Sequence, residues 1–283
     1  MKFKKETIKH IHLIYLIFFS ILIVLLFGYF KGWNRFDFNL KKSKQNAKAS
    51  YINNNNNVLN FALATSSDED LKNIKAKSYL VYDLNTKKVL IGYNENKILP
   101  LASVSKLMTA YVAEKNCADK LKVELDRLLI ASDNSAADDI AANCPNYNQF
   151  IDMMNEEVKK NSLNMKFINP SGLDINDETE ASNFGDAVSV AKLLNMLYEL
   201  DSNRLSHTTA DIFKTIKNTN QIADNLPFLV GGKTGFTDMA GGNLSTIYNI
   251  MGTRIAVVVL GSTKEDRFTD TILLLKSYLN NIF

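Results

Sequence analysis

The stretch Leu99–Tyr111 reads LPLASVSKLMTAY, and its centre places a hydroxyl, Ser103, three residues before an amine, Lys106. A serine is a poor nucleophile until a base takes its proton, and a lysine can be that base when burial or neighbouring cations lower its pKa. Residues three apart share one face of a helix, so the Lys106 amine can reach the Ser103 hydroxyl, whereas Ser105 has no such partner. A helix start beside the serine would add backbone N–H donors near an attacking oxygen. The pair alone is weak evidence, because a capping serine followed by a solvated lysine has the same spelling.

Two further triplets change that weighting. SDN, from Ser132 to Asn134, falls between the apolar LLIA and the helical pattern SAADDIAA, and it offers a hydroxyl and an amide. KTG, from Lys233 to Gly235, lies in LVGGKTGFT, where glycines let a substrate backbone come close to a strand. Each has a plain structural reading, as a helix cap and a strand end. The order SxxK, SxN, KTG within one chain is hard to obtain by chance, and it is the set found in penicillin-binding proteins and class A β-lactamases.

These side chains must be held by elements of the right kind. SYLVYDL (78–84) and VLIGYN (89–94), joined by NTKK, read as a hairpin of strands. After Pro100 the residues from near Ser103 to about Asn116 lack glycine and proline and read as a helix. From Leu121 to about Asp201 the pattern is mainly helical, broken by the turn NPSGLD at 169–174. Strands return in PFLVGGKTGF, NLSTIYNI and GTRIAVVVLG, the last two joined at Met251-Gly252. A closing helix from about Asp266 to Asn280 carries Ile272, Leu273, Leu275 and Leu279. This order predicts an α/β fold of the α+β type, an antiparallel sheet of about five strands flanked by helices. A helical subdomain, about residues 117–205, is inserted between its second and third strands. A cleft forms naturally at such a boundary.

The chain resembles the serine D-alanyl-D-alanine carboxypeptidases, the low-molecular-mass penicillin-binding proteins of the β-lactamase/transpeptidase-like superfamily. The likeness extends beyond the triplets to LVYDLNTKKVLIGYN, LASVSKLMTA, NPSGLD, GGKTGFTDMAGGNL and GTRIAVVVLGSTKEDR, and covers about residues 78–283. It implies that Ser103 is the acylated nucleophile, Lys106 its base and Ser132 a proton relay toward the leaving amine. It also implies that Asn134 holds the substrate amide, that Lys233 and Thr234, with Arg267, shape the electrostatics and bind the substrate carboxylate, and that Gly235 and Phe236 complete the substrate-binding strand. Backbone N–H groups of Ser103 and Phe236 would form the oxyanion hole. The reaction implied is removal of the terminal D-alanine from peptidoglycan stem peptides through an acyl-enzyme, with β-lactams as inhibitors and no metal or cofactor.

Departures from the family pattern leave alternatives open. The interval from Ser103 to Ser132 is short for that family, which trims one cleft wall, and Phe236 stands where a polar residue is common. A DD-endopeptidase acting on cross-links uses the same chemistry. SDN is the spelling of class A-like β-lactamases, although ETEASN, Glu178 to Asn183, only loosely imitates their deacylating motif. A cell-wall-binding module with a preserved but inactive cleft is the alternative outside enzyme chemistry.

Composition bounds the remaining classes. With 33 basic and 30 acidic residues the net charge is +3, too balanced and too scattered to argue for nucleic acid. Between Lys9 and Lys31 no residue is fully charged at neutral pH, and about 20 apolar residues suffice to cross a bilayer. The expected organisation is a cytoplasmic tail (1–10), an uncleaved single-pass signal anchor (11–30), a polar Asn-rich linker (31–77) and an extracytoplasmic catalytic domain (78–283). Lys2, Lys4, Lys5 and Lys9 before the apolar run set that orientation. Cys117 and Cys144 are too few for a disulfide scaffold and lack metal-ligand spacing, and they could pair outside the membrane because each falls near a helix end.

Overall fold

The computed structural model describes residues 71–117, 120–175, 180–209 and 216–282. The expected tail, signal anchor and most of the linker lie outside the described residues, among which no helix is long and apolar enough to cross a membrane.

In chain order the elements are β1 (Ser78–Asp83), β2 (Lys88–Tyr93), β3 (Leu99–Pro100), a 3-10 turn (Ala102–Ser105), α1 (Lys106–Asn116), α2 (Lys122–Ile130), α3 (Asn134–Asn143) and α4 (Tyr147–Lys160). There follow β4 (Met165–Lys166), β5 (Phe184–Gly185), α5 (Ala187–Leu200), α6 (Ser202–Ser206), short 3-10 turns at His207–Thr209 and Ala223–Asn225, β6 (Leu229–Thr237), β7 (Gly241–Ile250), β8 (Thr253–Ser262) and α7 (Asp266–Ile282). The main sheet has five strands in the order β2-β1-β8-β7-β6, every pair antiparallel. The hairpin, the helical block and the three later strands thus stand where the hydrophobic periodicity predicts them.

Both faces of this sheet are covered, and the alternation of side chains across a strand divides the core accordingly. On β8, Ile255, Val257 and Val259 join Leu274, Leu275 and Leu279 of α7 in one cluster. Ala256, Val258 and Leu260 face the other way, into the larger cluster shared with α1 to α5. That is why the strand reads as a continuous apolar run rather than an alternating one. The β7–β8 hairpin turns at Met251 and Gly252, both left-handed (φ 53° and 83°), as a two-residue turn of matching twist requires.

Helix α1 is the centre of the larger cluster. Leu107, Met108, Ala110, Val112 and Ala113 are buried, and α2, α3, α4 and α5 all pack on it. Its first five residues, Lys106 to Ala110, are all buried, so the lysine at its first position is held out of water by its neighbours, and the helix is exposed to solvent only in its last turn at Lys115 and Asn116. Cys117, ending α1, is bonded to Cys144, ending α3, with their Cα atoms 5.9 Å apart. The residues 71–77, grouped by composition with the linker, pack on the domain: Ala76 is buried, Leu71 and Ile74 lie against the α7 cluster, and the Lys75 N–H donates to Asp270 Oδ1 at 3.1 Å.

Candidate active site

Ser103 stands on the 3-10 turn rather than on α1 itself, and Lys106 is the first residue of α1. Residues three apart are eclipsed in a 3-10 turn, and the Lys106 Nζ lies 2.8 Å from Ser103 Oγ. The same amine donates to Asn134 Oδ1 at 2.7 Å and to the Ser171 carbonyl at 2.6 Å. Lys106 is fully buried, and burial lowers its pKa to about 7 against the opposing pull of the Asp138 and Asp133 carboxylates. A neutral amine has two N–H bonds and one lone pair. Two of the three neighbours are carbonyl oxygens, which can only accept. They take both N–H bonds and leave the lone pair facing the one neighbour that can donate, the Ser103 hydroxyl.

Asp133 explains how SDN is both a cap and a pair of site residues. Its carboxylate caps α3 by accepting from the Ala136 N–H at 3.3 Å, and it accepts from Arg127 Nε at 2.9 Å. Capping by the middle residue directs its neighbours to opposite lysines: Asn134 to Lys106, and Ser132 Oγ to Lys233 Nζ at 2.7 Å. Ser132 itself is left-handed (φ 59°), an uncommon conformation for a residue with a side chain.

Strand β6 supplies the opposite wall. Lys233 is buried, donates also to the Thr234 carbonyl at 2.9 Å, and has its pKa pushed well below the ordinary lysine value by burial and then by the Lys106 and Arg267 cations. A Cβ on Gly235 would lie 2.9 Å from the Leu101 carbonyl oxygen and 3.1 Å from the Ser103 nitrogen, so only glycine allows β6 to approach the Ser103 turn this closely. Arg267 donates from Nη1 to the Gly235 carbonyl at 2.7 Å. The Phe236 side chain is exposed at the rim, with Lys264 Nζ 5.2 Å from its ring centroid. Beside this strand an open cavity of about 740 Å³ is lined by Arg267, Lys264, Thr219, Asp133, Arg127 and Lys217, among others.

The nine residues selected from the motifs are thus brought together: Lys106 bonds Ser103 and Asn134, Lys233 bonds Ser132, and Gly235, between Thr234 and Phe236 on β6, lies against the Ser103 turn and accepts from Arg267. The motifs missed three supports. The Ser171 carbonyl bonds Lys106. Thr219 meets Thr234 with hydroxyl oxygens 2.6 Å apart. Asn183 accepts from the Ile168 and Asn169 N–H groups and donates to the Asn169 carbonyl, fixing the NPSG turn. Ser171 acts through backbone, which has no sequence signature, although the turn NPSGLD marks the place. Glu180, in the ETEASN stretch, is exposed, while Glu178 and Thr179 lie outside the described residues.

Comparison with known proteins agrees with this geometry. The D-alanyl-D-alanine carboxypeptidase family profile matches residues 63–128 and 123–264. The chain is 30% identical over 251 residues to a D-alanyl-D-alanine endopeptidase of Escherichia coli (strain K12), covering 75% of this chain and 79% of that one. It is 26% identical over 257 residues to D-alanyl-D-alanine carboxypeptidase DacF of Bacillus subtilis (strain 168), covering 74% of this chain and 65% of that one. The fold is shared with penicillin-binding protein D2 from Listeria monocytogenes in its cefotaxime-bound form, at a TM-score of 0.65 and 24% identity over 72% of this chain and 98% of that one. Since the family match encloses the Ser103 turn, SDN and the KTG strand alike, this chain belongs to the D-alanyl-D-alanine carboxypeptidase family of serine penicillin-binding enzymes.

Proposed function

We propose that this protein is a membrane-anchored serine DD-carboxypeptidase that removes the terminal D-alanine of peptidoglycan stem peptides through an acyl-enzyme at Ser103. The observation that carries this reading is the orientation of the Lys106 amine, with two carbonyl acceptors behind it and the Ser103 hydroxyl in front. In the forward step the Ser103 oxygen attacks the carbonyl of the penultimate D-alanine while its proton passes to Lys106. Donors at the Ser103 and Phe236 N–H groups stabilise the oxyanion. Ser132, bonded to Lys233, relays a proton to the leaving amine, so the C–N bond breaks and D-alanine departs. Water then releases the acyl group. Thr234 and Arg267 bind the carboxylate of the leaving residue, and the Asn134 Nδ2 donates to the substrate amide.

A second reading, DD-endopeptidase, is favoured by two observations: the E. coli relative bears that name, and the cavity beside Arg267 and Thr219 leaves room on the leaving-group side for more than one residue. A β-lactamase is supported less well, because the Asn183 side chain is spent on the NPSG turn and Glu180 faces solvent. An inactive wall-binding module is disfavoured by the assembled base and nucleophile. The disulfide supports an extracytoplasmic domain, since such bonds persist in oxidising compartments.

The test is incubation of the full chain with a fluorescent penicillin, with Ser103→Ala as control, followed by assays on a stem pentapeptide and a cross-linked dimer. A stable adduct lost in the variant and D-alanine release support the proposal. Cleavage of the dimer alone selects the endopeptidase, and rapid consumption of the drug selects the lactamase. Peptide binding that persists in the variant, with no product from the parent, selects the binding module.

A further inference from the structure

The cavity beside β6 begins at the place proposed for the carboxylate of the leaving residue. Arg267 lines it, and so does Thr219, whose hydroxyl meets that of Thr234 at 2.6 Å. Its volume of about 740 Å³ is of the size that encloses a drug-sized ligand, and the methyl side chain of D-alanine would leave most of it empty. A leaving residue with a longer side chain fits the space.

Charge decides what that side chain carries. Four cations line the cavity, Arg127, Lys217, Lys264 and Arg267, against one carboxylate, Asp133. Asp133 accepts from Arg127 Nε at 2.9 Å, so those two offset each other. Arg267 is buried, donates to the Gly235 carbonyl, and is assigned to the carboxylate that every such substrate has. Lys217 and Lys264 remain. Both are exposed, and neither enters an ion pair among the described residues; Lys264 lies over the Phe236 ring at the rim. Glu265 acts on Arg267 through space, but its side chain does not line the cavity. The two lysines stand on separate connections, one between the 3-10 turns at 207–209 and 223–225 and the other between β8 and α7, and the fold brings both to this one wall.

We propose that Lys217 and Lys264 determine specificity on the leaving-group side, selecting a leaving residue whose side chain bears a second carboxylate. This rests on the proposed placement of the first carboxylate at Thr234 and Arg267. The bonds made and broken are those of the acyl transfer already described. D-Alanine supplies only the first carboxylate, so a peptide whose leaving residue is an amino diacid matches the cavity better than the simple stem does.

The test compares two peptides, diacetyl-L-lysyl-D-alanyl-D-glutamate and its D-glutamine counterpart, which differ by one charge and hardly in volume. Hydrolysis by the full chain is followed in the parent and in the variant carrying Lys217→Gln with Lys264→Gln. The parent is expected to cleave the D-glutamate peptide with a kcat/KM about fivefold higher, a preference that shrinks in about 0.5 M salt because exposed charge pairs are screened. In the double variant the preference should disappear while the D-glutamine peptide is cleaved at the parent rate. Equal rates for the two peptides in the parent overturn the proposal, whether or not the variant folds, and so does a preference that survives loss of both lysines. If the parent cleaves neither peptide, their binding to Ser103→Ala is measured by isothermal titration calorimetry. About fivefold tighter binding of the D-glutamate peptide, lost with the two lysines, upholds the specificity, and equal or absent binding overturns it. A parent that fluorescent penicillin never modifies defeats the acyl-enzyme reading instead, while the calorimetry still decides the role of the lysines.

Discussion

At the scale of single residues, the site depends on which proton Lys106 holds. Its pKa near 7, caused by burial, means that below pH 7 the amine is an ammonium with no lone pair to accept the Ser103 proton. Acylation by penicillin should therefore fall about tenfold per pH unit below that point and level off above it, measured as a second-order rate constant from pH 5 to 9. Lys106→Ala removes the base and should slow acylation by about 10²–10⁴-fold while leaving the fold intact by circular dichroism. Retention of the parent rate in that variant would transfer the role of base to another group. Lys233, whose pKa burial also lowers, sits against Ser132. Ser132→Ala should spare reversible binding of penicillin and slow the covalent step, which stopped-flow fluorescence separates.

At the scale of elements, the site is an agreement between one turn, one helix start and one strand. Gly172 is left-handed (φ 79°), and a Cβ there would stand 1.9 Å from the Ala102 carbonyl oxygen, so the NPSG turn and the Ser103 turn touch through backbone. Gly172→Ala must push the turns apart and move the Ser171 carbonyl off Lys106. A destabilisation of about 1–3 kcal/mol in urea unfolding is expected, with acylation impaired in the protein that remains folded. Gly235→Ala should differ: β6 keeps its pairing with β7, while the turn carrying Ser103 is displaced. The melting temperature should change little and acylation should be strongly reduced. Equal losses of stability in the two variants would contradict this distinction. The five strands of the main sheet and the helices after SxxK and SDN were legible in apolar periodicity and turn residues, whereas the 3-10 turn that carries Ser103 was read as the start of the helix. The contact between the two turns was not, because it joins carbonyls and glycines that no side-chain pattern records.

At the scale of the whole molecule, a buried charge cluster links the helical block to the KTG strand. Arg204 donates to Glu114 Oε1 and to Asp126 Oδ1, both at 2.8 Å, joining α6 to α1 and α2. A few residues on, Thr208 Oγ1 accepts from the Gly232 N–H at 2.9 Å, beside Lys233. Arg204→Ala leaves the carboxylates of Glu114 and Asp126 without their cation, and truncating one partner of such a buried group should cost about 3–5 kcal/mol by urea denaturation. A loss below about 1 kcal/mol would mean that water or another cation fills the place.

The sequence by itself determined the kinds of chemistry available and their order: a serine and a lysine one turn apart, a hydroxyl and an amide flanking a helix cap, and a glycine-rich strand with a lysine and a threonine. Local spacing suffices for these because helix and strand periodicities are short-range. The tertiary structure decided what depends on distance through space. It joined Cys117 to Cys144, two helix ends whose separation no spacing reveals. It aimed the Ser171 carbonyl at Lys106 across the domain. And it removed water from Lys106, because desolvation is a property of everything packed around a group rather than of its neighbours in the chain.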